Sequence, residues 1–298
     1  MVRQRSAKPS SAGSIPAVAS NFSVPTNFSF PATVESHGWY RLAPFLWQEG
    51  VLLRREKIGD DVFPLAITFG RGKLHVEGAP STPELEARIR RMFQLHVDTA
   101  GFIALTRSSK PHAWVEPAGF GRLLCGSTLW EDIVKIIHTT NTMWSQTVRM
   151  TELLVAKCGS EGAFPSPEEV ARFTPEELQR DCRLGYRAKS IHALATGIID
   201  RTIDLAGIAD PSLPTKELYK SYQKLPGIGP YGAAHLLAMD GRHDFIAVDT
   251  EFRRFVRETY HGGRRNVSDA TMLRRYAKWG RWQYLAYWAE LWGSARNL

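Results

Sequence analysis

The chain has 298 residues, 43% of them hydrophobic, and a formal net charge of +8 at pH 7. That length accommodates one large domain or two small ones. No apolar run reaches the roughly eighteen residues a membrane-spanning helix needs, which excludes a helical membrane anchor. The charge is uneven. From Glu251 to Leu298 there are ten Lys/Arg against four Asp/Glu, an excess of six. Such an excess suits a polyanionic partner, and it equally suits a solvated basic surface. The cysteines, Cys125, Cys158 and Cys182, are odd in number and widely spaced. They give neither a disulfide framework nor a zinc pattern and read as buried thiols of a reducing compartment.

Residues 1–27, rich in Ser, Ala and Pro and free of acids, are expected to be a disordered tail. Arg3, Arg5 and Lys8 leave open a phosphate contact or a transit-like leader. From Phe28 to Gly78 the pattern is strand-like: VLLRREKI, PLAITF, the turn GRG and KLHVEG predict a hairpin-linked sheet. STPELEARIRRMFQL then predicts a helix, with a cap residue and proline at its start. From Gly119 the chain turns helical. TLWEDIVKIIHTT is amphipathic, MWSQTVRMTELLVAKCG closes on Gly159, and SPEEVARF and TPEELQRD each begin with a cap, a proline and two acids. KSIHALATGIID and TKELYKSYQK follow, and MLRRYAKWGRWQYLAYWAELW reads as one final helix. The expected fold is α+β: a tail (1–27), a small antiparallel β-rich module with a helix (28–118), and an all-α bundle (119–298).

The stretch KLPGIGPYGAAHLLAMDGRHDFIAVDTEF concentrates the chemistry. Gly227 and Gly229 around one apolar residue permit a tight turn, and YGAAHLLAM continues with helical spacing. Free amides at that helix start make a phosphate-binding turn, and an ordinary glycine-capped connection has the same pattern. Asp249 ends an apolar run and precedes TEFRRFVRETY. It is either a desolvated functional carboxylate or the N-cap of the next helix, and the two roles can coexist.

LPGIGPYGAA followed by AVD resembles the helix-hairpin-helix and Gly/Pro…Asp signature of the HhH-GPD DNA glycosylase superfamily. LGYRAKSI, TTNTMWSQ and WQYLAYWAELW resemble segments of its 3-methyladenine/8-oxoguanine glycosylase branch, over about residues 28–298. The resemblance implies a helix-hairpin-helix bundle behind the β-rich module and a base excision repair enzyme on double-stranded DNA. It would evert a damaged base and hydrolyse its N-glycosidic bond. Asp249 would be the catalytic carboxylate, stabilising oxocarbenium charge or activating water. Tyr231, His235 and Trp288 would form the base pocket, an electron-rich box suited to cationic alkylated purines. Asn141, Tyr186, Arg187, Gly227, Gly229 and Tyr231 would contact DNA, with Tyr186 as wedge, Arg187 reading the estranged base and Asn141 filling the gap. Backbone carbonyls of Gln223, Leu225 and Ile228 would hold a monovalent cation, K+ or Na+, with no other cofactor required. Each pocket residue also has a plain reading as core packing, Tyr186 as part of a helix-capping loop, and Arg187 as part of a solvated face.

Bifunctional relatives place a Schiff-base lysine two residues after the second hairpin glycine, and here that position is Tyr231. A phenol forms no imine, so the expected enzyme is monofunctional, without β-lyase activity. Lys224 reads as a solvated helix-end residue, and Arg253, Arg254 and Arg257 as phosphate contacts or a basic face. No cysteine follows Cys182, so no iron–sulfur cluster is expected. Alternatives are a glycosylase for oxidised, deaminated or otherwise modified bases and a non-catalytic DNA-binding module. A monomer is expected, in cytoplasm or nucleoid, or in the nucleus or an organelle of a eukaryote.

Overall fold

The computed structural model describes residues 19–296. Five strands, β1 (Ser20–Ser23), β2 (Leu46–Gln48), β3 (Val51–Ile58), β4 (Asp61–Gly70) and β5 (Lys73–Glu77), form one antiparallel sheet in the order β1-β5-β4-β3-β2. Fifteen α-helices are described: α1 (Phe30–Val34), α2 (Pro83–Met92), α3 (Ala100–Thr106), α4 (Val115–Ala118), α5 (Leu129–Thr139), α6 (Trp144–Cys158), α7 (Pro167–Ala171), α8 (Pro175–Asp181), α9 (Arg187–Ile199), α10 (Leu205–Ile208), α11 (Thr215–Tyr222), α12 (Pro230–Met239), α13 (Thr250–His261), α14 (Asp269–Arg274) and α15 (Gln283–Ala295). This is the expected α+β arrangement of a small antiparallel sheet followed by a helical bundle.

Local chemistry explains most boundaries. Arg71 and Gly72, both at positive φ, close the β4–β5 hairpin as a two-residue turn matched to strand twist. Ser166–Glu169 and Thr174–Glu177 are reciprocal capping boxes that start α7 and α8. Thr82 and Thr128 cap α2 and α5 by accepting amide protons through their hydroxyls. The helix α5 runs through the middle of the molecule, and Trp130 to His138 are all buried.

Three expectations change. The tail was drawn to residue 27, but residues 1–18 lie outside the described region and Ser20–Ser23 pair with β5. Phe22, opposite Leu74, turns inward and gives this short edge its hold on the core. The stretch after Phe28 is not strand-like at first: Ser29 caps α1, and Gly38–Arg41 form a 3-10 turn. The single final helix is broken. Gly280 at φ 55°, ψ −124° takes a conformation that L side chains rarely adopt, and it separates α14 from α15. The amide of Tyr284 then donates to the His243 carbonyl at 2.9 Å instead of continuing an upstream helix.

An ionic chain is buried between sheet and bundle. Arg54, on the inward face of β3, lies 2.6 Å from Glu56 and 3.0 Å from Glu131. Lys135 reaches Glu131 at 2.6 Å, and Arg54 and Lys135 both sit 4.6 Å from the Phe45 ring centre. Burial alone would raise the Glu131 pKa, but the two cations reverse that and hold it at about 2. Alongside, Asp132 accepts from Arg91 at 2.6 Å, from the Gly126 amide at 2.7 Å and from the Trp39 indole at 2.9 Å. This second cluster fixes Trp39, a residue of the N-terminal module, against the bundle. The cysteines are buried and free.

Candidate active site

The hairpin joins α11 to α12. Gly227 has φ 82°, and a Cβ there would lie 2.9 Å from Ser190 Cβ and 3.2 Å from Ile137 Cδ1, so both backbone and space demand glycine. At Gly229 a Cβ would meet nothing within 4 Å. Its open face leaves room for an outside backbone. The amides of Gly229, Tyr231 and Gly232, at the start of α12, have no acceptor among the described residues. They form a small donor set suited to an anion.

Behind the hairpin lies a cavity of about 930 Å³. Its lining joins α12 (Tyr231, His235), the α5–α6 loop (Asn141, Thr142), the segment before α13 (Val248, Asp249), Trp288 of α15, and His37 and Trp39 from the N-terminal module. Asp249 is the N-cap of α13 and accepts the Phe252 amide at 2.7 Å through Oδ1. Its partial burial raises the carboxyl pKa, partly offset by the Phe252 amide. The cap reading and exposure to the cavity therefore hold together.

The Tyr231 hydroxyl lies 3.4 Å from Thr139 Oγ1. Burial pushes its pKa up to about 12, so the phenol stays protonated near neutrality. His235 sits one turn further along α12, is held neutral by burial with a pKa of about 4, and has an enclosed Nε2 with no partner. Trp39 stacks on it at 5.4 Å and 17°. Trp288 donates its indole N–H to the Ser36 carbonyl at 2.7 Å and stacks on Tyr284 at 5.8 Å. Tyr231, His235, Trp288 and Asp249 thus share one cavity. Trp279 and Trp282 are core, and Trp292 packs on Trp114 at 4.9 Å.

Beside the cavity mouth, Tyr186 is 60% exposed and Met143 is 69% exposed. Thr140 Oγ1 and Asn141 Nδ2 lie 3.2 and 3.4 Å from the Tyr186 hydroxyl. Arg187 is placed differently from a base reader. It is buried, and its guanidinium donates to the carbonyls of Ile137, Leu184, Thr140 and Asn141. It clamps the end of α5 and the Asn141 loop from beneath rather than facing outward. Arg253 is paired with Asp269, and Arg254 with Glu251 and Glu258, so neither is a free phosphate ligand here. Lys224 is exposed, and no lysine lines the cavity.

The expected cation ligands can be tested against the hairpin. The Gln223 and Ile228 carbonyls accept no hydrogen bond from the described residues, and the Leu225 carbonyl accepts only the Ile228 amide, at 3.1 Å. Two free carbonyls and one with a spare lone pair fit a hard monovalent cation.

Sequence reasoning missed His37, Trp39 and Trp144. The last packs on Gly38 so closely that a Cβ there would collide with its ring. The available signal was SHGW, two aromatic side chains around a glycine in a stretch otherwise read as strand.

A family model for the HhH-GPD superfamily of base excision DNA repair proteins matches residues 134–281, which span the hairpin, the Asp249 segment and the α5–α6 loop. The chain is a member of the HhH-GPD superfamily. Solved structures share the fold of this HhH-GPD protein at low identity. A 3-methyladenine DNA glycosylase from Archaeoglobus fulgidus is 17% identical, with a TM-score of 0.73 over 91% of this chain and 97% of that one. An 8-oxoguanine glycosylase/lyase from Clostridium acetobutylicum, solved with double-stranded DNA, is 18% identical, with a TM-score of 0.71 over 91% and 93%. A 3-methyladenine DNA glycosylase from Schizosaccharomyces pombe, bound to abasic DNA, is 19% identical, with a TM-score of 0.53 over 66% and 96%. No curated protein sequence matches the HhH-GPD protein significantly. No described helix is long and apolar enough to cross a membrane.

Proposed function

We propose that this protein is a monofunctional DNA glycosylase that everts alkylated purines from duplex DNA and hydrolyses their N-glycosidic bond. One observation carries the reading: a half-buried carboxylate, Asp249, shares an aromatic cavity with Tyr231, His235, Trp39 and Trp288, and no lysine lines that cavity. As the C1′–N bond breaks, the electron pair leaves with the base and the sugar gains oxocarbenium character. The Asp249 carboxylate stabilises that charge and takes a proton from the water that bonds to C1′. An alkylated purine leaves as a neutral base because it enters as a cation. Neutral imidazoles and electron-rich rings attract such a cation without opposing it. Without an amine nucleophile in the cavity, no imine forms and the strand stays intact at the abasic site.

The Gly229, Tyr231 and Gly232 amides support phosphate binding at the hairpin. Gln223, Leu225 and Ile228 would hold a monovalent cation through their carbonyls, and its charge would favour the same phosphate. Tyr186 and Met143, exposed beside Asn141, would fill the gap left by an everted base.

The test uses labelled duplexes carrying methylated purines, hypoxanthine, uracil or 8-oxoguanine, each read with and without alkali. Strand breaks only after alkali, strongest for methylated purines, are expected. Breaks without alkali would overturn the monofunctional reading. Binding of all duplexes with no breaks would mean a DNA-binding module.

A further inference from the structure

Two histidines and a tryptophan in the cavity are not used by the cleavage chemistry. His37 Nε2 lies 2.7 Å from the Leu124 carbonyl oxygen. A carbonyl only accepts, so this nitrogen carries the hydrogen, and in the neutral ring Nδ1 is then a bare acceptor. Burial, reinforced by His235, lowers the His37 pKa to about 3, so the ring is neutral under ordinary conditions. Nδ1 has no partner among the described residues, and the ring lines the cavity. The ring is boxed in. It lies 4.7 Å from Trp39, 6.0 Å from His235 and 6.5 Å from Trp288. Trp39 in turn is held by Asp132, so this corner is rigid before any ligand arrives. His37 Nδ1 is thus a fixed acceptor with no protein donor among the described residues, beside a second imidazole whose Nε2 is enclosed and unpartnered, and it is available to a donor on a ligand in the cavity.

We infer that His37 Nδ1 is a specificity-determining acceptor that reads an exocyclic amine on the everted base, so that the cavity selects alkylated 6-aminopurines over bases presenting a carbonyl there. The inference rests on the proposed function for the cavity's occupant. A 6-oxo group would set oxygen against nitrogen, two acceptors with no proton between them. An alkylated adenine instead donates an N–H made more acidic by the ring's positive charge, a charge-assisted bond. The acceptor is set by the Leu124 hydrogen bond and by the aromatic rings around it, and it makes no hydrogen bond to Asp249, so the chemistry at Asp249 does not run through it.

The test is a ligand–residue cycle on the full chain. Tryptophan fluorescence, with Trp39, Trp144 and Trp288 as reporters in the cavity, is followed during titration with free 3-methyladenine and with 3-methylpurine, which lacks the amine. Both free bases are neutral, so charge assistance is absent from this assay, and loss of the amine should weaken binding to wild-type protein about tenfold through the uncharged hydrogen bond alone. His37→Phe and the smaller His37→Leu, each checked for an unchanged far-ultraviolet spectrum, should bind the two bases within about twofold of each other. His37→Gln, which restores an N–H for Leu124 and an oxygen acceptor, should recover most of the preference. Equal affinity of wild type for both bases, or an undiminished preference in the variants, would overturn the inference. Strand cleavage is scored separately. Absent excision with the cycle intact would refute the glycosylase reading alone, and excision without coupling would refute the role of His37 alone.

Discussion

Asp249 combines an observed cap with the proposed catalytic charge, and substitution can separate the two. Its Oδ1 caps α13 through the Phe252 amide at 2.7 Å, and its charge faces the cavity. Asparagine keeps the capping oxygen and removes the charge, whereas alanine removes both. A carboxylate about 4 Å from a developing sugar cation, at an effective dielectric of about 20, stabilises it by about 4 kcal/mol. That corresponds to roughly a thousandfold in rate, within the usual range for a positioned acid–base group. Loss of an N-cap costs about 1 kcal/mol. Asp249→Asn should therefore lose about three orders of magnitude in single-turnover excision while melting close to wild type. Asp249→Ala should lose as much activity and also melt lower by about 2 °C or more. The assay pairs single-turnover kinetics on a methylated-purine duplex with thermal unfolding. Asp249→Asn retaining activity within tenfold would refute the catalytic role. Equal melting of both variants below wild type would refute the capping argument.

Four further outcomes follow from the same geometry. Because burial raises the Asp249 pKa and the reaction needs its ionised form, the acid limb of the rate–pH profile should lie above the ordinary carboxylate range. A limb near pH 4 or below would contradict this. His37, His138, His235 and His243 have pKa values lowered from 6.5 to about 3, 3, 4 and 3. Between those values and 6.5 the unfolded chain binds more protons. Their stabilisation is thus complete above pH 6.5 and falls with acidification by about 1.4 kcal/mol per pH unit for each histidine, measurable by denaturant titration. Glu131→Gln should destabilise the fold by about 3–5 kcal/mol, because Arg54 and Lys135 are left buried around a neutral amide. Gly227→Ala should cost more than about 1 kcal/mol through positive φ and the Ser190 contact, and should weaken duplex binding in a mobility-shift titration.

The readable parts of the sequence were those whose cause is local. The Arg71–Gly72 turn, the two capping boxes, and the glycines of the hairpin each follow from residues within a few positions of one another. Asp249 was legible for the same reason, as a carboxylate between an apolar run and a helix start. What was missed depends on partners far along the chain. Trp39 enters the cavity because its indole is held by Asp132, 93 residues away. Arg54 and Glu56 face inward on β3 because Glu131 and Arg88 await them there. In sequence they only interrupt a strand pattern. Arg187 was assigned to the outside from motif position. The Thr140 and Asn141 carbonyls just beyond α5, which accept no other hydrogen bond among the described residues, draw it in. The break at Gly280 was hidden because the residues on both sides keep helical spacing.

The Asp132–Trp39 bond has a consequence for how such proteins are compared. The segment by which this chain is recognised as HhH-GPD runs from residue 134 to 281, and it carries Asp249, Tyr231 and His235. His37, Trp39 and Trp288 all lie outside it, yet all line the same cavity. In the proposed enzyme the carboxylate and part of the pocket wall therefore lie on that segment, and the rest of the wall lies on stretches of polypeptide outside it. Two chains can share the diagnostic segment almost unchanged and still diverge in diet, because a substitution near the amino terminus redraws the cavity without touching the motif.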